Sequence, residues 1–256
     1  MIEAQQLEAK ILERKWFYKF TLPSGKTTES YLPEFALPIH TTRSQMMSQF
    51  IDNTFGDGIK QMSCVDLACH EGYFSHQLAL KGFASVTGID ARPEHVRDAD
   101  LIRQAYGHTN LQYQVGDIQK LEPEQIGKFD FTLMFGIVYH LENPIGALRF
   151  AQGITSSVCL IETQIVPNMT GITDWGSHRF NKNIIGCLAI IDEAQELNAD
   201  NSEANISQIS IVPSLPGLLW LLKAVGFKRT EVLNPPPDAY EQLASYKRVI
   251  VAAYNF

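Results

Sequence analysis

The chain is short of the features that mark several protein classes. It has only four cysteines, Cys64, Cys69, Cys159 and Cys187, and no C-x-x-C pair among them. A disulfide scaffold and a cysteine-based zinc site are therefore not expected, and nothing visible requires a metal. Cys64 and Cys159 stand in apolar runs and read as buried free thiols. Basic residues are in the minority: 21 Lys and Arg against 28 Asp and Glu leave a formal charge of −7. With a pI near 5.5 and no basic stripe, the chain lacks the electrostatic footprint of a nucleic-acid binder. Its densest cationic group, Arg14, Lys15 and Lys19, is interleaved with aromatics. No uninterrupted apolar run is long enough to span a bilayer, because the best candidate, Ile209 to Phe227, is broken by Pro213, Pro216 and Lys223. The opening MIEAQQLEAK is acidic and helical, not a basic then apolar leader. The expected setting is the cytoplasm. Neither an internal repeat nor a low-complexity tract is present.

What the chain has is length for a core: 256 residues, of which 45% are apolar and 19% charged. Strand-like and helix-like runs alternate. Strands are predicted at Met62–Leu67, Ser85–Asp90, Leu111–Val115, Phe129–Phe135 and Val158–Gln164, with helices from Tyr73 to Gly82, from Pro93 to Tyr106 and over Asn143–Gly153. Such alternation implies βαβ units and a parallel sheet. A helix over Leu215–Val225 follows, capped by Gly226, and then two strands, Phe227–Leu233 and Tyr246–Ala253, with no helix between them. That last pair is expected to run antiparallel. The predicted fold is α/β: a Rossmann-like, mostly parallel sheet of seven strands with helices on both faces and an antiparallel C-terminal strand. Residues 1–55 form an N-terminal extension or lid, residues 56–256 the main domain, and residues 165–212 a lid-like insertion.

In an open parallel sheet the ligand site lies beyond the carboxyl ends of the strands. The first predicted strand runs into Asp66-Leu67-Ala68-Cys69-His70-Glu71-Gly72, a turn of small residues opening a helix whose N-terminus can meet an anion. The second ends in Gly88-Ile89-Asp90, with Asp90 18 positions after Gly72, the place for an acid that accepts ribose hydroxyls. The third ends in Gly116-Asp117-Ile118, suited to an exocyclic amine. An isolated acid at a strand end is often a helix cap; three in succession point to a ligand.

These segments, with Phe129-Asp130 and Phe135-Gly136, resemble the class I S-adenosylmethionine-dependent methyltransferases. The likeness runs from about residue 60 to the C-terminus, with Ala68 and His70 standing where the family carries glycines. Phe135-Gly136-Ile137-Val138-Tyr139-His140-Leu141-Glu142-Asn143-Pro144, Leu160-Ile161-Glu162-Thr163 and Val212-Pro213-Ser214 are more closely similar to the tRNA wobble-uridine carboxymethyltransferases and their small-molecule relatives. Trp16-Phe17-Tyr18 with Leu22-Pro23-x-Gly25 resembles the front end of those relatives, but the long basic N-terminal region of the tRNA enzymes has no counterpart here.

The resemblance implies S-adenosyl-L-methionine as cofactor. It places Ala68 and Gly72 at the methionine end with Asp66 ordering that loop, counts His70 among the cofactor-binding residues, and puts Asp90 at the ribose and Ala91 or Arg92 beside the adenine. Asp117 and Ile118 take the adenine amino group and edge, and Phe135 and Gly136 form the floor near the sulfonium. Tyr139 and His140 follow the fourth strand and are candidates for the transfer chemistry, with His140 as base; the matching Tyr of the carboxymethyl relatives helps hold the extra carboxylate. Glu162 and the insertion residue His178 are further catalytic candidates. Arg43, Trp16, Tyr18 and Trp175 are candidates for substrate binding. The expected activity is methyl transfer to O or N of a small molecule. The rival readings are carboxymethyl transfer to tRNA and a non-catalytic, cofactor-binding scaffold. Replacing Asp90 by Ala is expected to weaken cofactor binding about tenfold or more and to leave the melting temperature nearly unchanged.

Overall fold

The computed structural model describes residues 2–173, 182–192 and 209–256. Its centre is a seven-stranded sheet: β1 (Ser63–Leu67), β2 (Ser85–Asp90), β3 (Leu111–Val115), β4 (Phe129–Phe135), β5 (Thr155–Gln164), β6 (Arg229–Val232) and β7 (Arg248–Tyr254). The spatial order is β6-β7-β5-β4-β1-β2-β3. Strands β1 to β5 are mutually parallel, with Asp66 paired to Gly88 on one side and to Leu133 on the other. Strand β7 runs antiparallel to both β5 and β6. The chain builds β1, β2 and β3 outward in one direction and then returns to lay β4 against the opposite edge of β1. The crevice between β1 and β4 is therefore where strand order reverses.

The strands read as near-continuous apolar runs because both faces are covered. Successive side chains alternate between two cores: Leu133 and Leu160 face one, Met134 and Ile161 the other. The helices α3 (Tyr73–Lys81) and α4 (Pro93–Tyr106) supply Leu78 and Ile102 to the first core. On the other face α5 (Pro144–Ile154) and α6 (Leu215–Val225) bury Leu148, Phe150, Leu218 and Leu222. Asn143 caps α5 by accepting the Gly146 N–H, and Ser214 does the same for α6 with Gly217.

The first 55 residues carry α1 (Ile2–Leu12) and α2 (Pro38–Phe55). Trp16, Phe20, Met47 and Ile51 are part of the same apolar cluster as Phe131 and Leu133 of β4. The residues between β5 and α6 include an antiparallel ribbon, Leu188–Asp192 with Ile209–Pro213. That ribbon is fastened to the end of β4: Ser210 Oγ donates to the Tyr139 carbonyl, and the Ile211 N–H donates to the Leu141 carbonyl at 3.2 Å. Among the described residues no helix is long and apolar enough to cross a membrane.

Candidate active site

The turn after β1 is built on left-handed backbone. Ala68 (φ 59°) and His70 (φ 51°) both take the conformation that glycine adopts without cost, and Gly72 (φ 76°) follows as the N-cap of α3. Ala68 and His70 thus hold left-handed backbone without being glycine. Asp66 is buried beneath the turn and accepts the Ser75 hydroxyl at 2.6 Å. Burial raises its carboxyl to about 7, against the lowering effect of the Ser75 hydrogen bond. Gly72 and Gly88 are needed for a reason unrelated to a ligand. The Tyr113 side chain of β3 lies across both, and a Cβ at either position would collide with its ring or hydroxyl.

At the end of β2, Asp90 Oδ2 accepts the His70 N–H at 2.8 Å, and Oδ1 accepts the Arg92 N–H at 2.9 Å and faces His95 Nδ1 at 3.2 Å. Burial pulls this carboxyl upward, but His95 and the two backbone donors outweigh it and hold the pKa below its ordinary value. The His95 and His70 rings lie 3.9 Å apart. Ala91, between Asp90 and Arg92, is half-buried. Past β3, Asp117 accepts the Gln119 N–H at 3.0 Å and pairs with Lys120 at 2.9 Å, and Ile118 is buried beside it.

The far side of the crevice holds a buried charge network. Glu162 of β5 is fully buried. Its Oε1 accepts Arg248 Nη1 at 2.7 Å and stands 3.6 Å from Arg43 Nε. Arg248 Nη1 also donates to Tyr139 Oη at 3.2 Å. Burial raises the Glu162 carboxyl, but the two arginines prevail and keep it ionised. Gly136, at φ 71°, donates its N–H to the Glu162 carbonyl at 3.1 Å. Phe135 packs edge-on to Phe74 at 5.1 Å. His140 closes the short 3-10 turn Val138–His140, its ring 4.1 Å from that of Tyr139.

The N-terminal residues close over the turn after β1. Glu71 Oε2 accepts the N–H groups of Phe17 and Tyr18 at 2.9 and 3.2 Å, and Oε1 lies 3.6 Å from Arg14. Burial lifts Glu71 to about 7. Tyr18 stacks on Tyr73 and lies 4.5 Å from His40. Trp16 does not line this space. It is fully buried beneath the Arg14 guanidinium and donates its indole N–H to the Ile11 carbonyl. Its apolar surface is used up in the core, so the expected substrate contact from Trp16 is not formed. Trp175 and His178 lie outside the described residues.

Sequence reading passed over Arg248, Glu71, His95 and His40. The signal for Arg248 was present: a charged residue opening an otherwise apolar strand must find a buried partner. For His95 there was none.

A sequence model described as a methyltransferase domain matches residues 59–219, more than half of the chain. The chain belongs to that family. Among solved structures, the chain is similar to the N-terminal domain of EvdMO1 crystallised with SAH and D-fucose. That match has a TM-score of 0.66 at 21% identity, covering 99% of this chain and 94% of the other. It is also similar to magnesium protoporphyrin IX methyltransferase from Synechocystis PCC 6803 with bound SAH, with a TM-score of 0.58 at 14% identity, covering 89% and 90%. These likenesses are of fold. Among curated proteins, the tRNA U34 carboxymethyltransferase of Aliarcobacter butzleri is 24% identical over 177 residues, 68% of this chain and 50% of that protein. The namesake from Desulfotalea psychrophila is 28% identical over 127 residues, 49% and 39%. The chain spans about half the length or less of these curated relatives. The expected Rossmann-like fold, with its antiparallel C-terminal strand, and the expected family are both borne out.

Proposed function

We propose that the protein transfers a methyl group from S-adenosylmethionine to an oxygen or nitrogen of a small-molecule acceptor. The observation that carries this reading is the buried Asp90 carboxylate at the end of β2, beside the crevice where strand order reverses. Two further features fit the cofactor. Asp90 already accepts three hydrogen bonds of the roughly four a carboxylate can take, leaving a place for a ribose hydroxyl. The backbone after β4 turns at Gly136, where a Cβ would lie in van der Waals contact with the Arg43 guanidinium and Glu162 Oε2 at 3.7–3.8 Å.

When bound, the cofactor supplies an electrophilic methyl on a sulfonium. Asp90 holds the ribose, Asp117 and Ile118 receive the adenine, and the backbone at Ala68, Gly72 and Gly136 lines the path to the reacting end. His140, on the short 3-10 turn that follows β4, takes the proton of the acceptor. The N-terminal aromatics Phe17 and Tyr18, fastened by Glu71, form the wall against the acceptor and exclude water.

Carboxymethyl transfer is the second reading. It is favoured by the buried cluster beside Tyr139, where Arg43 and Arg248 face one carboxylate, Glu162, and an anionic cofactor would restore neutrality. The chain's −7 charge argues against tRNA as the acceptor. Calorimetric titration with S-adenosylmethionine, S-adenosylhomocysteine and the carboxylated cofactor separates the two. Micromolar binding of the first two supports methyl transfer, and strong preference for the carboxylated form supports the second reading. No binding of any of the three defeats both.

A further inference from the structure

We infer that His95 is a specificity-determining residue: it leaves Asp90 room for one hydroxyl of the cofactor ribose, so the protein tolerates a cofactor that lacks the other. The inference rests on the S-adenosylmethionine reading above. An ionised carboxylate has two oxygens with about two accepting places on each. At Asp90, Oδ1 is taken twice, by the Arg92 N–H at 2.9 Å and by His95 Nδ1 at 3.2 Å. Oδ2 is taken once, by the His70 N–H at 2.8 Å. A ribose diol lying across both oxygens needs an open place on each, and only Oδ2 has one.

The three donors are fixed in place. Two are backbone N–H groups, of residues adjoining β1 and β2. His95 is the third residue of α4 and is 7% exposed. Its ring lies 3.9 Å from that of His70, which in turn lies 5.2 Å from Phe17 and 5.8 Å from Tyr18. The ring proton sits on Nδ1, because a bare nitrogen lone pair there would face the carboxylate. Nε2 is buried and has no partner among the described residues, so the bond to Asp90 sets how the ring is turned. Without His95, Oδ1 would hold the Arg92 N–H alone, and the carboxylate would offer one open place on each oxygen. That is the arrangement that accepts both hydroxyls of a diol.

The probes are S-adenosylhomocysteine and its 2′-deoxy and 3′-deoxy forms. They are titrated calorimetrically into wild type, His95→Leu and His95→Asn. Wild type is expected to bind one deoxy ligand about tenfold or more weakly, the loss of one hydrogen bond to a charged group, and the other within about threefold of S-adenosylhomocysteine. His95→Leu opens Oδ1, and the tolerated deoxy ligand then falls about tenfold behind S-adenosylhomocysteine. His95→Asn, whose amide N–H can stand in for Nδ1–H, keeps the wild-type pattern. Each result is a ratio between ligands on one protein, which a general loosening of the fold does not move. A wild type weakened tenfold by both deletions overturns the inference and leaves ribose recognition by Asp90 standing; one weakened by neither overturns both. An unchanged pattern in His95→Leu, or a pattern lost in His95→Asn as well, shows that the Nδ1 donor is not responsible and also overturns it. Should His95→Leu fail to fold, the wild-type ratios and His95→Asn decide alone. A wild type that does not bind S-adenosylhomocysteine defeats the cofactor reading itself, and the inference with it.

Discussion

The rings of Tyr18 and Tyr73 lie parallel, 4° apart, with centroids separated by 4.6 Å. One belongs to the N-terminal segment and the other opens α3, so the stack joins that segment to the turn after β1. Tyr18 is 6% exposed. Tyr18→Ala is expected to lower stability by about 3 kcal/mol or more, as for large aromatic truncations in a core. Tyr18→Phe, which keeps the ring, should cost much less. Chemical denaturation of the two variants reads the difference.

Ala68 carries strain that a smaller residue removes. Left-handed backbone costs a non-glycine residue roughly 1–2 kcal/mol, and the added freedom of glycine in the unfolded chain returns about 0.4–1 kcal/mol of that. Ala68→Gly should therefore raise the melting temperature modestly, by a net gain on the order of 0.5 kcal/mol. A lower melting temperature would show that the Ala68 methyl contributes packing that outweighs the strain.

Asp90 has a structural load that its sequence position did not reveal. It was expected to serve the ribose alone, with little effect on melting. The structure has it accept the His70 and Arg92 N–H groups and face His95. Asp90→Ala is expected to cost about 1–3 kcal/mol of stability besides weakening the cofactor, because those donors lose a buried acceptor. Thermal melts without ligand check the first effect and titration with S-adenosylhomocysteine the second.

Stability should depend on pH through Asp66 and Glu71. Their carboxyls rise from ordinary values of 3.8 and 4.5 to about 7 on burial. The folded state binds more protons than the unfolded one in that interval, so this contribution is full below about pH 4 and is lost as pH rises through 7. His76 acts in the opposite sense. Burial drops it to about 4, and its contribution is lost as pH falls from 6.5 toward 4. The decisive comparison is therefore between wild type and the Asp66→Asn/Glu71→Gln double variant. Relative to wild type, the variant should gain stability as pH rises from 5 to 7, measured by urea denaturation at each pH.

Much of the sheet was legible because buried parallel strands are apolar, short and bounded by glycine and proline. β2, β3 and β4 have the predicted limits, and Pro93 and Gly226 mark helix ends where expected. Helix α2 was not legible, and the reason is physical. Its buried face includes His40, Thr42 and Arg43 together with Met46, Met47, Phe50 and Ile51, so the apolar period is broken at the residues that reach the site. The ribbon beside Tyr139 was hidden for a related cause: Leu188, Ile190, Ile191 and Ile209 are exposed and show no clean alternation. In the site, the strand-end acids could be placed because each follows a recognisable strand. The Glu162–Arg248 pair could not, because its members are 86 residues apart and meet only when β7 inserts beside β5.

Tyr113 lying across Gly72 and Gly88 ties three distant positions into one unit of inheritance. Neither glycine can acquire a side chain while the tyrosine stays, and loss of the tyrosine alone would open a void against the turn after β1. Related chains should therefore change these three positions together or not at all. At position 72 the constraint is doubled, because a Cβ there would also meet the Ala99 Cβ at 2.8 Å and sit on left-handed backbone.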